Sequence, residues 1–282
     1  MDCLIFGGFG YIGSRLIDTL LIRGFNLTIS TRSPKNYKFS QIQIIKNDRQ
    51  INLEQLTELV GKYDLVIDCT GISGQMVSES KINDIINVNC LWPIKLAEAC
   101  VLSKTKFVWF SSIHAKKVFF EDKNSFRKNI YGLSKLITEN SIFEISNWEK
   151  FISVVRLGNI IGAPGKLFNN NSNLFPLEIS RELINKRKAT IKSDPNIMIA
   201  YISFEKLLTS KFLDYPGFYE LYGIRKNSLY SITKYIQESY KKINPIKTNI
   251  SFKGNILNSS KGDISIEVKK EIDMIIKYFM FK

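Results

Sequence analysis

Short apolar runs alternate with longer amphipathic stretches through the first 160 residues of the chain. The runs are rich in Ile, Val, Leu and Phe, as buried strands are, and the longer stretches repeat apolar positions at helical spacing. Strict alternation of strands and helices predicts an α/β fold with a doubly wound parallel sheet and right-handed crossovers. We predict strands at 2–6, 27–31, 42–45, 64–70, 106–110 and 151–156, and helices at 11–23, 53–62, 82–100 and 131–145.

The alternation weakens after residue 156, where turn-forming residues gather at 162–165 and 169–173. Neither an internal repeat nor a long linker separates the two parts. We therefore predict a first domain over 1–160 and a small C-terminal cap over 161–282, with a soft boundary and interleaved packing. In the cap we predict helices at 174–186, 229–243 and 264–279, and short strands at 197–202 and 217–222.

The composition is that of a folded protein, because 44% of the 282 residues are hydrophobic. The net charge of +14 would suit a nucleic-acid partner. However, the lysines are scattered among acidic residues, and no zinc finger, basic arm or RNA-binding motif accompanies them. We expect a solvated basic surface and no nucleic-acid partner.

The chain contains no uninterrupted apolar run of about eighteen residues, so we expect no membrane span. The first predicted strand begins at residue 2, which leaves no room for a targeting peptide. The cysteines lie in apolar segments without metal-ligand spacing, which predicts reduced thiols, no metal site and a cytoplasmic location. They are Cys3, Cys69, Cys90 and Cys100.

A glycine-rich turn follows the first strand directly. Glycines at 7, 10 and 13 would let the chain turn sharply, approach a pyrophosphate and pack a helix against the sheet. The N-terminus of that helix would offer free N–H groups to the phosphates. The strand–turn–helix context predicts a Rossmann-like dinucleotide site rather than an ordinary glycine loop. Its residues are Gly7, Phe9, Gly10, Tyr11, Ile12 and Gly13.

The end of the second strand indicates which dinucleotide binds. An acidic residue there would bind the ribose hydroxyls of NAD and repel the 2′-phosphate of NADP. The chain reads Thr31-Arg32-Ser33 at this point, without a carboxylate. Arg32 could stack on adenine and bind the phosphate, although it could also be an ordinary surface arginine. We predict NADP(H) as the preferred cofactor, with NAD(H) as the alternative.

A serine, a tyrosine and a lysine predict the reactive centre. Tyr131 and Lys135 stand four residues apart on a predicted helix and share one face of it. An ammonium beside a phenol favours phenolate and would lower the pKa of Tyr131, which would make it a usable proton donor. Ser112 follows a buried strand and could donate to a carbonyl. With a dinucleotide site, this set predicts hydride transfer.

Further motifs extend the pattern along the chain. The chain resembles the extended short-chain dehydrogenases/reductases of the NAD-dependent epimerase/dehydratase family, which modify sugar nucleotides. The resemblance covers nearly the whole length. Besides the glycine turn it rests on Asp48, Asp64-Leu-Val-Ile-Asp-Cys-Thr70, Asn87-Val-Asn-Cys-Leu91, Phe110-Ser-Ser112, Tyr131-x-x-x-Lys135, Val155-Arg-Leu-Gly-Asn159 and Tyr201-Ile-Ser-Phe-Glu-Lys-Leu207.

The resemblance implies a role for each of these positions. Tyr131 would be the acid/base, Lys135 would hold the nicotinamide ribose and lower the tyrosine pKa, and Ser112 would bind the reacting carbonyl. Asn87 would support the lysine, and Asn159 would lie near the phosphates of a nucleotide-sugar substrate. The resemblance also implies a homodimer. The further cofactor positions are Asp48, Cys69 and Thr70, and His114 is a further substrate position.

Two departures from the family pattern narrow the chemistry. Ile113-His114 stands where dehydratases of the family carry Asp-Glu, which disfavours dehydration. The usual phosphate-binding arginine is replaced near Ile199, so Arg156, Lys166, Arg181 or Arg225 would have to substitute. We predict an NADP(H)-dependent 4-keto reductase of a nucleotide-linked deoxy-sugar, in surface polysaccharide precursor synthesis. The alternatives are a 4-epimerase using NAD and a non-catalytic nucleotide-binding scaffold.

Overall fold

The computed structural model describes residues 1–32, 34, 41–46, 49–74, 76–77, 80–117, 126–169 and 174–281. The strands are β1 (Asp2–Phe6), β2 (Asn26–Thr31), β3 (Ile42–Lys46), β4 (Leu65–Asp68), β5 (Lys106–Ser112), β6 (Ile152–Leu157), β7 (Asn159–Ile161), β8 (Lys188–Ile191), β9 (Met198–Ser203), β10 (Gly217–Leu221), β11 (Lys226–Ser228) and β12 (Asn249–Phe252). The helices are α1 (Tyr11–Ile22), α2 (Leu53–Val60), α3 (Ile82–Ile86), α4 (Trp92–Leu102), α5 (His114–Lys117), α6 (Phe126–Phe143), α7 (Trp148–Phe151), α8 (Phe175–Lys186), α9 (Phe204–Leu208), α10 (Leu229–Ile243) and α11 (Ile266–Phe281).

The central sheet has seven strands in the order β10-β6-β5-β4-β1-β2-β3. The pairs from β6 through β3 are parallel, and their registers place Phe6 beside Asp68 and Thr31 beside Lys46. The carboxyl ends of these strands therefore meet at one edge. Helices separate β1 from β2, β3 from β4, β4 from β5 and β5 from β6, so the predicted α/β, Rossmann-like sheet is confirmed.

One predicted helix is broken into three parts. The sequence predicts a single helix over 82–100, whereas the structure has α3, a π-helical segment at Asn87–Leu91, and α4 with a proline in its first turn. A π-helical segment changes which side chains face inward, because each of its turns holds extra residues. In this segment Asn89 and Cys90 are buried and Asn87 is exposed.

The same stretch bears on the expected lack of a membrane span. Within the described residues, Ile82–Leu102 is long and apolar enough to cross a membrane by length and composition alone. Half of its apolar window is buried inside the protein. Leu96, Ala97 and Cys100 of this stretch belong to a hydrophobic core cluster, together with Phe107 and Trp109 of β5. A helix in the core of a soluble protein passes the same test.

The chain divides into two compact units. The first comprises Met1–Leu157, Gly165–Asn169 and Ser210–Glu220. The second comprises Gly158–Pro164, residues 170–209 and Leu221–Lys282. The chain thus crosses between the units more than once, and most of β10, predicted as a strand of the cap, lies in the first unit. The assignment of the second unit as a substrate-binding cap stays a prediction.

The second unit has two small sheets of its own. One has the order β11-β9-β7, and the other pairs β12 with β8. β9 runs parallel to β7 and antiparallel to β11. Of its strands the sequence analysis predicted only β9, because β7, β8, β11 and β12 are three or four residues long. Runs this short carry little periodic signal.

Candidate active site

The glycine turn lies between β1 and α1 and is shaped by close backbone contacts. Gly7 has a φ of +75°, and its carbonyl accepts a hydrogen bond of 3.0 Å from the Gly10 amide. A Cβ at Gly13 would lie 2.4 Å from the Gly7 carbonyl oxygen, and one at Gly7 would lie 2.9 Å from the carbonyl carbon of Cys69. Both positions therefore require glycine, Gly7 also because of its left-handed φ.

The helix after this turn begins without a side-chain cap. Gly10 is the N-cap of α1, makes no side-chain capping bond and is exposed. The first turn of α1 has no acidic residue. The positive end of the helix dipole is therefore unopposed locally, and a pyrophosphate fits here because backbone amides and the dipole both favour an anion. Phe9, Tyr11 and Ile12 of the predicted site are each half-buried around the turn.

The end of β4 carries a buried carboxylate that the sequence analysis did not select. One Asp68 oxygen accepts bonds from the Thr70 amide at 2.9 Å and the Thr70 hydroxyl at 2.6 Å. The other oxygen is buried without a hydrogen-bond partner among the described residues. Burial raises the pKa of Asp68, whereas Thr70, Lys135 and Arg49 lower it. Thr70 and Cys69, both predicted cofactor positions, thus lie beside the glycine turn on a charged strand end.

Two arginines follow the ends of β2 and β3. Arg32 comes directly after Thr31 and is exposed, and Arg49 is half-buried with its guanidinium 5.6 Å from the Trp92 ring. Burial lowers the pKa of Arg49, Asp68 raises it, and the like charge of Arg32 lowers it. The two cations therefore interact electrostatically across the ends of neighbouring strands. Arg49 was missed because its approach to Arg32 depends on the register of β2 and β3.

Ser112, His114 and Tyr131 come together beyond the end of β5. The Ser112 hydroxyl is hydrogen-bonded with Tyr131 and also accepts the His114 amide at 3.3 Å. The exposed His114 ring meets the Tyr131 ring edge to face, with centroids 5.8 Å apart. A carbonyl bound here would meet two hydroxyls, one of them on a half-buried tyrosine. The predicted catalytic hydroxyls therefore lie together, with His114 against them.

Lys135 lies buried one turn after Tyr131 on α6. Its ammonium donates a 2.9 Å hydrogen bond to the Phe110 carbonyl and lies 4.6 Å from the centre of the Trp109 ring. A Cβ at Gly71 would be 3.8 Å from the ammonium, so the chain after β4 passes close by. Burial lowers the pKa of Lys135 to about 8, while Asp68, Cys90 and Glu139 raise it.

The expected lowering of the tyrosine pKa by Lys135 does not appear in this arrangement. Burial raises the pKa of Tyr131, and the hydrogen bond with Ser112 lowers it. Two features explain the difference: phenolate loses solvation in this half-buried position, and the Lys135 ammonium is hydrogen-bonded to the Phe110 carbonyl. The hydroxyl of Ser112 is thus the group that stabilises the phenolate.

Asn89, rather than Asn87, is the buried asparagine near Lys135. Its amide oxygen accepts the Ile72 amide at 2.8 Å, and its amide nitrogen donates to the Ile72 carbonyl at 3.0 Å and to the Ser134 hydroxyl at 3.1 Å. These bonds join the chain after β4 to α6. Asn87, predicted for this support, is exposed because the π-helical segment turns the later asparagine inward.

The remaining predicted positions are less informative. Asn159 is the exposed first residue of β7, paired with Tyr201 in the second unit, and its predicted place near phosphates stays a prediction. Asp48 and Ser33 lie outside the described residues. Arg156, proposed as a phosphate-binding substitute, is bound to Glu139 and Glu220. Among the described residues, no three His, Cys, Asp or Glu side chains cluster as a metal site requires.

Sequence comparison connects this arrangement with known proteins. The sequence model of the NAD-dependent epimerase/dehydratase family matches residues 3–194. The match spans the glycine turn, the ends of β2 and β4, and the Ser112, Tyr131 and Lys135 set. Comparison with individually curated proteins gives no significant match.

Solved structures share the fold over nearly the entire chain. The Bordetella bronchiseptica enzyme WbmH in complex with NAD+ has a TM-score of 0.72 at 16% identity, covering 99% of this chain and 98% of that chain. The Thermotoga maritima UDP-glucose 4-epimerase with UDP-glucose has a TM-score of 0.75 at 15% identity, covering 99% of each chain. The Methanobrevibacter ruminantium UDP-N-acetylglucosamine 4-epimerase in complex with UDP-N-acetylmuramic acid has a TM-score of 0.73 at 18% identity, covering 99% of this chain and 98% of that chain. At such low sequence identity, these TM-scores establish a shared fold alone.

Proposed function

Because the chain belongs to the NAD-dependent epimerase/dehydratase family, we propose that it is an NADP(H)-dependent reductase of a nucleotide-linked keto-deoxy-sugar. Membership of the family makes the protein an NAD(P)-dependent oxidoreductase or epimerase of the extended short-chain type. The cofactor preference, the direction of the reaction and the substrate are the steps we add.

The observation that carries the proposal is the pair of arginines after β2 and β3. The sequence from residue 30 to residue 41 contains no carboxylate that would bind a ribose diol. Burial is the main cause of the lowered pKa of Arg49, and the like charge of Arg32 lowers it further, so the two cations lie close enough to repel each other. An anion between them would relieve that repulsion, and the 2′-phosphate of NADP is such an anion. A reductase consumes NADPH, so this preference favours reduction.

The reactive residues suit the delivery of a proton to a carbonyl oxygen. The dinucleotide, when bound, supplies the hydride. Ser112 would donate a hydrogen bond to the oxygen of the reacting carbonyl, and Tyr131 would give that oxygen its proton. The raised pKa of Tyr131 keeps the phenol protonated near neutral pH, as a proton donor must be. The buried Lys135 would hold the nicotinamide ribose, and the Ser112 hydroxyl would stabilise the phenolate that remains.

A nucleotide sugar is the proposed substrate class. Support comes from the family and from the ligands of solved structures that share the fold, such as UDP-glucose with the Thermotoga maritima enzyme. Arg156 is engaged in ion pairs, so it does not replace the missing arginine near Ile199. Arg225 donates to the Asp263 carbonyl yet is exposed, so it is the better substitute of the two.

A 4-epimerase is the second candidate function. One observation favours it: two of the fold relatives described above are 4-epimerases. An epimerase would use the same hydroxyl pair, first to remove and then to return a proton. It would retain its dinucleotide through the cycle and produce no net change in cofactor absorbance.

Two assays on the purified protein separate these functions. In the first, NADPH or NADH is mixed with a nucleotide-linked 4-keto-6-deoxy-hexose and the loss of reduced-cofactor absorbance is followed. In the second, UDP-glucose and UDP-N-acetylglucosamine are incubated with the protein and the sugars are resolved by chromatography. We expect NADPH consumption in the first and no epimer in the second. Epimer formation without NADPH consumption would establish the second candidate instead.

A further inference from the structure

Charged side chains of alternating sign form a network of ion pairs, here called the charge network, that leads from the protein surface to Glu139, one helical turn after Lys135. In order they are Lys116 of α5, Glu220 of β10, Arg156 of β6 and Glu139 of α6. All of them belong to the first compact unit. Glu139 lies on the same helix as Tyr131 and Lys135 but was not predicted as a site residue.

The middle of the charge network is a bidentate ion pair between Arg156 and Glu139. Arg156 donates from Nε to Glu139 Oε1 at 3.0 Å, and its Nη2 donates to Glu139 Oε2. Its Nη1 donates to Glu220 Oε1 at 2.7 Å. The Glu139 side chain is only 1% exposed and that of Arg156 is 12% exposed. Such a pair is poorly screened by solvent, so a change in one member is felt by its neighbours.

The outer end of the charge network, at Lys116, is exposed to solvent. Lys116 lies 2.7 Å from Glu220, and its side chain is 49% exposed. Glu220 is therefore paired both with an exposed ammonium and with the largely buried guanidinium of Arg156. Glu220 has a lowered pKa: burial opposes this, but hydrogen bonds and charge from Lys116 and Arg156 outweigh it. It stays ionised at neutral pH.

The inner end of the charge network is Glu139, whose charge acts on Lys135. Glu139 follows Lys135 by one helical turn, so the two side chains share a face of α6. The other groups that face the ammonium are Asp68 from the end of β4 and Cys90 from the π-helical segment. Glu139, Asp68 and Cys90 each raise the pKa of Lys135, against the larger effect of burial.

We propose that Glu139 is a positioning residue that keeps Lys135 charged, and that Arg156 sets how much of the Glu139 charge reaches that lysine. The inference rests on the role of Lys135 in the proposed function. A carboxylate bound on two sides by a guanidinium presents less negative charge to its other neighbour. The strength of the Arg156–Glu139 pair therefore controls the pH at which Lys135 loses its proton.

The signs of the expected changes follow from this coupling. Glu139→Gln removes a negative charge, so Lys135 should lose its proton at a lower pH. Arg156→Lys keeps a cation but replaces the two-point contact of the guanidinium with Glu139 by the single contact of an ammonium. More of the Glu139 charge then reaches Lys135, which should lose its proton at a higher pH. A purely structural role for the pair would weaken folding in both variants and would not move the titration in opposite directions.

The test measures the affinity of NADPH against pH, from its fluorescence on binding, between about pH 7 and pH 10. Affinity should weaken as Lys135 loses its charge, since the ammonium holds the ribose. We expect the midpoint of Glu139→Gln to fall by roughly one pH unit and that of Arg156→Lys to rise by a fraction of a unit. Glu182→Gln is the matched control, because it removes a partly exposed carboxylate paired to Lys186 on α8, and its midpoint should stay at the wild-type value.

Particular outcomes overturn the proposal. A folded Glu139→Gln variant with the wild-type midpoint would do so. If that variant does not fold, Arg156→Lys decides, and an unchanged or lowered midpoint overturns the inference. A wild-type affinity that is flat across this pH range removes the role of Lys135 and the inference with it. Failure to reduce any keto-sugar, in contrast, counts against the proposed reaction alone, because the binding measurement requires no sugar.

Discussion

The imidazole of His114 meets the phenol ring of Tyr131 edge to face, with ring centroids 5.8 Å apart and planes inclined at 63°. The same residue gives its backbone amide to the Ser112 hydroxyl. His114 thus contacts both of the residues whose hydroxyls are proposed to act on the carbonyl. In the family pattern dehydratases carry an acidic pair at this place, and His114 makes an aromatic contact here instead.

This contact predicts a modest catalytic effect of His114. An edge-to-face pair contributes about 0.5–1.5 kcal/mol, so His114→Ala should lower kcat/KM of keto-sugar reduction by about 2- to 13-fold. His114→Phe keeps an aromatic ring and should stay near the wild-type value. Steady-state kinetics with NADPH would measure both. Equal losses in the two variants would mean that the imidazole itself binds the substrate.

Tyr131→Phe should abolish most turnover without loss of cofactor binding. The change removes only the hydroxyl, and the ring contact to His114 remains. Loss of a general acid lowers the rate by about 10²- to 10⁴-fold. Tyr235→Phe is the control, since the Tyr235 hydroxyl bonds to Asp273 in the second unit and should not affect turnover. Reduction at the wild-type rate by Tyr131→Phe would refute the assignment.

Arg32→Ala should reduce the affinity for NADPH and leave that for NADH nearly unchanged. A charge-assisted contact to the 2′-phosphate is worth roughly 1.5–3 kcal/mol, or about one to two orders of magnitude in Kd. Arg23→Ala provides the matched control, because Arg23 is a partly exposed arginine paired with Asp214. Calorimetric titration of both cofactors would show the difference. Equal affinity of the wild type for NADPH and NADH would contradict the proposed preference.

The two asparagines of the π-helical segment should differ sharply in their effect on stability. Asn89→Ala leaves the Ile72 amide and carbonyl and the Ser134 hydroxyl without their bonds. The free energy of unfolding should fall by about 2–4 kcal/mol, since these groups are buried or partly buried. Asn87→Ala, at an exposed position, should change it by less than about 0.5 kcal/mol. Urea denaturation measures both, and equal effects would show that Asn89 does not secure the segment.

Local patterns in the sequence suffice for a large part of this fold. The apolar runs predict the strands from β1 through β6, and the glycine turn is recognisable because Gly7 and Gly13 meet steric demands of a single strand–turn–helix unit. Tyr131 and Lys135 are recognisable for the same reason, since their spacing on one helix fixes a shared face.

Features that depend on distant parts of the chain could not be predicted in this way. The inward turn of Asn89 follows from an extra residue in a helical turn, for which the sequence carries no periodic signal. The raised pKa of Tyr131 depends on how deeply α6 is packed, and the approach of Arg49 to Arg32 depends on strand register. The Arg156–Glu139 pair joins residues of a strand and a helix that are separated in sequence, so spacing gives no indication of it.

Because β10 comes late in the chain, the central sheet can be completed only late in synthesis. During synthesis, the first six strands of the central sheet emerge before β10, whose residues follow much of the second unit. Until then β6 has an open edge, and an open strand edge is a template for pairing with other chains. Arg156 also lacks Glu220 during that interval. The N-terminal half therefore cannot be regarded as a self-sufficient nucleotide-binding module, and a fragment ending near residue 160 should aggregate more readily than the full chain.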